Sequence, residues 1–298
     1  MVNIKNTTKS YKLNTGYSIP AIGLGTWQSQ PGGVEKAVEE ALRAGYRHID
    51  TAFAYGNEKE VGQGIRASGV PREEIFLTTK LNNTDHKRVA EALEDSLRNL
   101  GVDYVDLYLM HWPSSTTPDD MKKHYDDWDF VDTWREMQKL AGTGKVRSLG
   151  VSNFGIKNLE RLLNDPSCKI VPAVNQIELH PANPSPKLVA YCNSKGIHCS
   201  GYSPLGSSNS PLYSNETLKS IAEAKKRTVA QVLLMWGLQK GWSVLPKSVN
   251  VDRIHANFDL DGWRLTDEEM AKIDAIPDRF KVCGDSWLPI KVFFGDDE

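Results

Sequence analysis

The stretch of sequence that decides the fold reads Tyr46-Arg47-His48-Ile49-Asp50-Thr51-Ala52-Phe53-Ala54-Tyr55-Gly56-Asn57-Glu58. An apolar strand ends here in an acid, and a tyrosine followed by a glycine comes five residues later. Apolar residues recur at helical spacing before and after this stretch, so Asp50 and Tyr55 fall in a loop between a strand and a helix. Such loops form the catalytic face of a parallel α/β barrel. Taken alone, the stretch is equally compatible with a helix cap at Asp50 and a half-buried aromatic at Tyr55.

The rest of the chain repeats this pattern, with short apolar runs that are each followed by an amphipathic helix. The runs occupy residues 22–24, the segment around residue 49, and residues 75–79, 105–110, 146–151, 173–177, 197–202 and 242–245. Their starts lie roughly 25 to 45 residues apart, which matches the ~30 residues of one strand-helix unit in a barrel. We therefore predict an α/β protein built as a single (β/α)8 TIM barrel, with residues 1–298 forming one domain.

Three segments outside the repeat are predicted to lie over the ends of the barrel. Residues 11–20 form two extended pieces around the turn Asn14-Thr15-Gly16, so residues 1–20 are expected to form a β-hairpin cap. Residues 114–128 and 205–215 are insertions that follow strands, and loops in that position usually shape access to a site.

A doubly wound dinucleotide-binding domain is the competing architecture, because Gly23-Leu24-Gly25 follows the first predicted strand. A phosphate-binding loop of that kind needs a third glycine three residues after Gly25, where this sequence has Gln28. The next helix also begins late, behind Pro31-Gly32-Gly33. These two differences disfavour the doubly wound fold.

Composition and charge limit the kinds of partner. The 298 residues are 40% hydrophobic and 25% charged with a net charge of −2, which favours a globular protein that does not bind nucleic acid. No segment approaches the ~20 apolar residues of a membrane span, and residues 1–7 lack the apolar core of a signal peptide. We therefore expect a cytoplasmic protein, and a monomer because no heptad repeat or large apolar surface stretch is evident.

The chain has four cysteines, Cys168, Cys192, Cys199 and Cys283, and no two of them form a CxxC motif. We therefore expect free thiols and no metal site.

Polar residues stand at the predicted ends of three successive strands. Lys80 closes the third strand and His111 closes the fourth, while Asp50 and Tyr55 follow the second. A lone lysine or histidine at a strand end is usually an ordinary solvated or hydrogen-bonded residue. Because the ends of neighbouring barrel strands surround one pocket, the four side chains together predict a single site.

An acid, a lysine, a phenol and an imidazole in one pocket form a device for proton transfer. The ordinary pKa of tyrosine is about 10, and an ammonium ~4 Å away at an effective dielectric of ~20 favours the phenolate by ~4 kcal/mol. We therefore expect Lys80 to bring the pKa of Tyr55 close to neutrality, where acid-base catalysis is efficient. Asp50 would hold Lys80 charged, and His111 would donate a hydrogen bond to a carbonyl oxygen.

The chain resembles the aldo-keto reductases over nearly its whole length. The matching motifs are Gly23-Leu24-Gly25-Thr26-Trp27, Gly45-Tyr46-Arg47-His48-Ile49-Asp50-Thr51-Ala52, Tyr55-Gly56-Asn57-Glu58, Leu109-Met110-His111-Trp112-Pro113, Gly150-Val151-Ser152-Asn153-Phe154, Asn175-Gln176-Ile177-Glu178 and Leu245-Pro246-Lys247-Ser248. The resemblance implies a (β/α)8 barrel that binds NADPH and reduces carbonyls, with Asp50, Tyr55, Lys80 and His111 as its catalytic tetrad. In that family the tyrosine protonates the carbonyl as hydride arrives from the nicotinamide.

The same resemblance implies the cofactor-binding residues: Thr26, Trp27, Ser152, Asn153, Gln176, Tyr202, Ser203, Leu205, Ser207, Lys247, Ser248, Arg253 and Asn257. Ser152, Asn153 and Gln176 would bind the carboxamide, and Tyr202 would stack on the nicotinamide ring. The group around Lys247 and Arg253 would hold the 2′-phosphate, which is also reasonable physically, because a helix N-terminus and two cations favour an anion. NADPH should therefore bind better than NADH. Ala256 stands where many members have an acid, so one adenine contact beside Asn257 is in doubt.

Aromatic residues are predicted to wall the substrate pocket: Trp27, Phe53, Trp112, Trp128 and Trp287. Trp287 belongs to the tail, residues 277–298, which in this family can fold over the barrel mouth. Some members of the family carry an aromatic residue where this chain has Asn82, which would make this side of the pocket more polar. As a hypothesis, this favours hydroxylated substrates. Glu178 and His180 are interpreted as a structural hydrogen bond and not as metal ligands.

Two other functions remain open at this stage. The same residues could oxidise a polyol such as glycerol with NADP⁺, or the chain could be a cofactor-binding regulatory subunit. The complete tetrad favours an enzyme that reduces aldehydes, aldoses or glyceraldehyde, but the sequence does not choose the substrate.

Overall fold

The structure is a computed structural model that describes residues 5–30 and 32–295. Its strands are β1 Ser10–Lys12, β2 Ser18–Pro20, β3 Leu24–Gly25, β4 His48–Asp50, β5 Phe76–Leu81, β6 Val105–Met110, β7 Val146–Ser152, β8 Val174–Glu178, β9 His198–Tyr202 and β10 Ser243–Leu245. Strands β3 to β10 pair in sequence order, each parallel to the next. Parallel bridges between Ile22 and Val244 and between Gly25 and Lys247 close this sheet into a barrel.

The helices are α1 Val34–Ala44, α2 Glu58–Ser68, α3 Val89–Leu100, α4 Phe130–Gln138, α5 Ile156–Asn164, α6 Pro186–Ser194, α7 Glu216–Lys225, α8 Val229–Lys240, α9 Val251–Phe258 and α10 Asp267–Asp274. Each gap between barrel strands holds one α-helix, apart from the gap between β9 and β10, which holds both α7 and α8. Thr228 caps α8 in a capping box with Gln231. The predicted (β/α)8 barrel is confirmed.

The two glycines that suggested a phosphate loop lie at the seam where the barrel closes. Gly23 donates its N–H to Val244 O at 3.0 Å, and Gly25 donates to Pro246 O at 3.0 Å. A Cβ at Gly23 would lie only 2.7 Å from Leu245 and 2.8 Å from His48. The first glycine is therefore required by close packing between β3, β4 and β10, and the doubly wound alternative is wrong.

The predicted hairpin is formed by β1 and β2 and covers the amino-terminal end of the barrel. Leu13 and Ile19 are buried in one cluster with Phe76 and Val174, the first residues of β5 and β8. The opposite end, where the strands terminate, is left for a site. Residues 1–4 of the predicted cap lie outside the described residues.

The predicted tail reaches the carboxyl end of the barrel. Leu288 and Val292 form a small apolar cluster with Trp112, which follows β6. Residues 296–298 of this segment lie outside the described part of the chain. Within residues 5–30 and 32–295 no helix combines the length and the apolar character needed to cross a lipid bilayer.

Candidate active site

A buried ion pair joins the ends of two neighbouring strands. Asp50 is the last residue of β4, and Lys80 lies near the end of β5, which pairs with β4. Lys80 Nζ lies 2.7 Å from Asp50 Oδ1 and donates to Thr51 O at 2.8 Å, and its side chain is fully buried. A buried ammonium is tolerated because a carboxylate and a carbonyl oxygen accept its hydrogen bonds.

Tyr55 completes the group from a short 3-10 helix, Phe53–Tyr55, directly after β4. The turn ends at Gly56, whose φ of 66° is in the left-handed region. Lys80 Nζ donates to Tyr55 Oη at 3.2 Å. The Tyr55 ring lies edge-on to the ring of His111 at 5.7 Å between centroids. The four side chains predicted to share a pocket are therefore brought together.

The pKa of the phenol does not follow the sequence-based expectation. Burial raises the pKa of Tyr55, and the lowering effect of Lys80 is too small to reverse it. The prediction of a near-neutral pKa is wrong because it counted the ammonium and left out desolvation. For Lys80, burial lowers the pKa, but Asp50 and Tyr55 together outweigh it and raise the pKa above its ordinary value. The pocket therefore holds a protonated phenol beside a protonated amine.

His111 is a neutral imidazole. Burial holds its pKa well below the ordinary value, and the charge of Lys80 lowers it further. Its carbonyl oxygen accepts a hydrogen bond from Asn153 Nδ2 at 3.0 Å. The side chain can therefore donate a hydrogen bond to a ligand without carrying charge, since neutral imidazole keeps one N–H.

Four of the predicted cofactor residues form one hydrogen-bonded network at the ends of β7, β8 and β9. Gln176 Nε2 donates to Asp50 Oδ2 at 2.6 Å, and Ser152 Oγ donates to Gln176 O at 2.8 Å. Tyr202 Oη donates to Asn153 Oδ1 at 2.7 Å. Asn153 adopts a φ of 62°, a strained value that turns the chain at the end of β7. This network connects directly to the ion pair.

The loop after β9 contains three predicted cofactor residues and has an unusual backbone. Ser203, Ser207 and Asn209 have φ values of 47°, 68° and 57°, which non-glycine residues rarely adopt. Leu205 packs against the core. The strained conformation marks this loop as a segment with a special role, because such strain is concentrated at binding sites.

The remaining predicted cofactor residues surround the start of α9. Asn250 caps this helix by accepting from Arg253 N, and Ser248 lies just before it and is buried. Lys247 is exposed and donates to Gln28 O at 3.4 Å. Burial raises the pKa of Tyr213, which lies in the short helix after the strained loop, and the charge of the exposed Arg253 partly offsets this rise. Asn257 is buried on the same helix.

Thr26 and Trp27, predicted on the cofactor side, follow β3. Thr26 is buried and its Oγ1 donates to Asp50 O at 3.0 Å. Trp27 is 40% exposed and free to contact a ligand.

The predicted aromatic wall is formed in part. Trp112 is buried and meets Trp287 at 5.4 Å between ring centroids and Phe293 at 5.8 Å. Phe53 is half-buried in the short helix that ends at Tyr55. Trp128 lies beside α4, where its Nε1 donates to Thr133 Oγ1 and it lines a surface cavity of about 520 Å³. Asn82 Nδ2 donates to Thr84 Oγ1 at 2.9 Å, which uses one of the two N–H groups of its amide.

Sequence reasoning missed Asn57. Its position before α2 suggests a helix cap, but its side chain does not cap the helix. Nδ2 donates instead to Thr26 O at 3.0 Å and to Ser29 O at 3.1 Å, fastening the loop after β3 to the loop after β4. The sequence signal for this role was the place of Asn57 directly after Gly56, where the chain turns.

Comparison with known proteins agrees with this geometry. The model of the Aldo/keto reductase family matches residues 21–278. The chain is 45% identical to glycerol 2-dehydrogenase (NADP(+)) of Saccharomyces cerevisiae, covering 97% of this chain and 98% of the relative. It is 47% identical to aldehyde reductase YPR1 of the same yeast, over 86% and 87% of the two chains. The structure of Bombyx mori aldo-keto reductase in complex with NADP superposes with a TM-score of 0.83 at 41% identity, covering 90% and 92%.

A (β/α)8 barrel with an ion-paired lysine, a tyrosine and a histidine at its mouth defines a class of oxidoreductases. The chain belongs to the aldo/keto reductase family.

Proposed function

We propose that the protein is an NADPH-dependent oxidoreductase that reduces the carbonyl group of aldehydes or ketones to an alcohol. The observation that carries this proposal is the chain of contacts from Asp50 through Lys80 to the phenol of Tyr55, with neutral His111 facing the same ring. The names of the yeast relatives, an aldehyde reductase and an NADP-linked glycerol dehydrogenase, support the same chemistry.

Each side chain has a separate part in the reaction. The bound cofactor supplies a hydride to the carbonyl carbon. Tyr55 donates its proton to the carbonyl oxygen, and its raised pKa keeps that proton available at neutral pH. Lys80 stabilises the phenolate that is left behind, and Asp50 keeps Lys80 in place. His111 donates a hydrogen bond that orients the carbonyl.

The residues present suit a dinucleotide with a 2′-phosphate. Side-chain amides and a hydroxyl at the ends of β7 and β8 match a carboxamide, and Tyr202 offers an aromatic face beside them. The capped start of α9, with Lys247 before it and Arg253 in its first turn, suits a dianion at the other end. The net positive charge there favours NADPH over NADH.

Oxidation of a polyol is the second candidate, because the glycerol dehydrogenase relative matches almost the full chain. In that direction Tyr55 must accept a proton as phenolate. Its raised pKa makes phenolate scarce at neutral pH, so reduction is favoured near pH 7 and oxidation becomes competitive only in alkali. A purely regulatory role is disfavoured because all four tetrad residues are present and in contact.

The test is the initial rate of NADPH oxidation with a panel of aldehydes, aldoses and ketones for the wild type and Tyr55→Phe. We expect turnover by the wild type and a loss of at least about a thousandfold in the variant, with NADPH affinity kept. Turnover by the variant at more than a tenth of the wild-type rate would contradict the assignment of Tyr55. If neither protein turns over although NADPH binds, the reductase proposal fails, and polyol oxidation is tested next.

We also propose that the protein acts as a monomer in the cytoplasm on a small-molecule substrate. The free state of the four cysteines supports a reducing compartment. Sedimentation equilibrium at micromolar concentration tests the monomer, and a fluorescent fusion tests the location.

A further inference from the structure

The tail is fastened to the end of β8 at a short segment, residues 280–283, which we call the tail root. Glu178 is the last residue of β8 and its side chain is fully buried. Its Oε1 accepts from Val282 N at 2.7 Å, and its Oε2 accepts from Cys283 N at 2.8 Å. Two consecutive main-chain N–H groups of the root are therefore bound by the two oxygens of one carboxylate.

A histidine and a ring complete the attachment. His180, also fully buried, lies with Nε2 at 2.8 Å from Glu178 Oε1. The His180 ring stacks on Phe280 at 4.8 Å, and Phe280 N donates to Ala182 O at 3.1 Å. The predicted bond between Glu178 and His180 is thus confirmed, and it is made to the same carboxylate that accepts from the root.

Beyond the root, the tail closes on itself and meets the aromatic wall. Asp285 Oδ2 accepts from Val292 N and Phe293 N, both at 2.8 Å. Trp287 and Phe293 then pack against Trp112, whose neighbour in the chain is His111. Asn158 Nδ2 also donates to Val292 O at 3.2 Å, so the position of this wall relative to the imidazole depends on the root together with this second attachment.

We propose that Glu178 is a positioning residue that sets substrate selectivity by fastening the tail root, and with it the wall formed by Trp287 and Phe293. The proposal rests on the reductase function proposed above. A carboxylate is suited to this place because the two partly buried N–H groups and the buried imidazole need acceptors. A glutamine of the same size has only one acceptor oxygen, and its NH₂ would face a main-chain N–H.

The substrates affected are those large enough to reach the wall. An aromatic aldehyde extends from His111 to Trp112 and the tail, whereas glyceraldehyde is compact and stays near the tetrad. Releasing the root should weaken binding of the first and leave the second nearly unchanged. The residue acts on KM through the tail and does not touch the reacting atoms.

The experiment compares wild type and Glu178→Gln, each saturated with NADPH, in two measurements. The KM for 4-nitrobenzaldehyde should rise about tenfold, while kcat and the KM for glyceraldehyde stay within about twofold. Hydrogen exchange followed by mass spectrometry should be at least about tenfold faster in the peptide that covers residues 280–293. Unchanged exchange there, or an equal rise in both KM values, would overturn the proposal.

Glu58→Gln is the matched control, because Glu58 is an equally buried carboxylate that accepts from Thr79 and Asn99 and has no bond to the tail. It should change neither the KM ratio nor the exchange of the tail. In a Trp287→Ala background, Glu178→Gln should raise the KM for the aromatic substrate by a smaller factor than in the wild type, because only Phe293 of the wall remains, and fully additive effects would contradict the mechanism. If Glu178→Gln does not fold, Glu178→Asp is used instead, because it keeps both carboxylate oxygens on a side chain that is one methylene shorter. The ratio of the KM for 4-nitrobenzaldehyde to the KM for glyceraldehyde should then rise about threefold. A wild type that reduces no carbonyl refutes the reductase, and the exchange measurement still tests the attachment.

Discussion

The two ends of the barrel hold different sets of buried titratable groups. At the mouth, Asp50 and Lys80 form an ion pair at 2.7 Å. At the base, burial lowers the pKa of both His48 and His198 to about 4. Their ring nitrogens meet the hydroxyl of Thr78 at 3.1 Å and of Ser243 at 2.9 Å.

The segments that cover the two ends also differ in how they are attached. At the base, Tyr11 of the hairpin packs on the ring of His198 at 4.8 Å and its hydroxyl donates to Leu238 O. At the mouth, the tail rests on Trp112 through ring contacts and is fastened at its root. The sealed end stabilises the fold, whereas the covered but accessible end holds the ion pair beside the tyrosine that performs the chemistry.

The largest effect is expected from breaking the charge pair at the mouth. Lys80→Met removes the cation that stabilises the Tyr55 phenolate and leaves Asp50 buried with Gln176 as its remaining side-chain partner. We expect kcat/KM for aldehyde reduction to fall about a thousandfold. Thr15→Val, which loses a hydrogen bond to Ser148 at the base, is the control and should keep full activity. A loss below tenfold in Lys80→Met would show that the pair is only structural.

The next effect concerns the second charged region at the mouth side, the start of α9. Arg253→Ala should weaken NADPH binding about tenfold to a hundredfold and leave NADH binding unchanged, because a charge-assisted bond to the 2′-phosphate is lost. Fluorescence titration with both cofactors measures this. Arg98→Ala, which removes an exposed arginine from α3, should change neither affinity. Equal weakening of both cofactors would place Arg253 elsewhere on the dinucleotide.

The neutral histidines of the base should make the protein less stable in acid. His48 has a pKa of about 4 when folded and about 6.5 when unfolded, so the unfolded chain binds more protons between these values. The free energy of unfolding therefore falls as pH drops through this window, by about 2 kcal/mol at pH 5 from this group. Urea titrations at pH 7.5 and 5.0 should show a loss about 2 kcal/mol smaller in His48→Gln. Equal losses would show that His48 does not contribute to the loss of stability in acid.

The smallest effect is expected at the hairpin. Asn14 Nδ2 donates to Val171 O at 3.4 Å and to Pro172 O at 3.2 Å, both before β8. Asn14→Ala should lower the free energy of unfolding by about 1 kcal/mol, because these partners are partly hydrated in any case. Urea unfolding measures this, and kcat/KM should not change. A change in activity would mean that the two ends of the barrel are coupled.

Local patterns predicted the barrel and the tetrad because strand ends converge wherever a parallel sheet closes. Lys80 and His111 could be placed from periodicity alone. The pKa of Tyr55 could not, because desolvation depends on the packing of the whole pocket. The attachment of the tail to Glu178 also had no local signal, since Val282 is 104 residues away in the chain. Contacts of that range depend on the folded positions of both segments.

The seam of the barrel has a consequence for the order of folding. Ile22 pairs with Val244, and Asn6 donates to Leu260 O across 254 residues of sequence. Contacts of this separation form late, because the intervening chain must first be ordered. During synthesis on the ribosome, β3 therefore remains an open sheet edge until β10 has emerged. That interval is when the nascent chain is most exposed to aggregation and most in need of a chaperone.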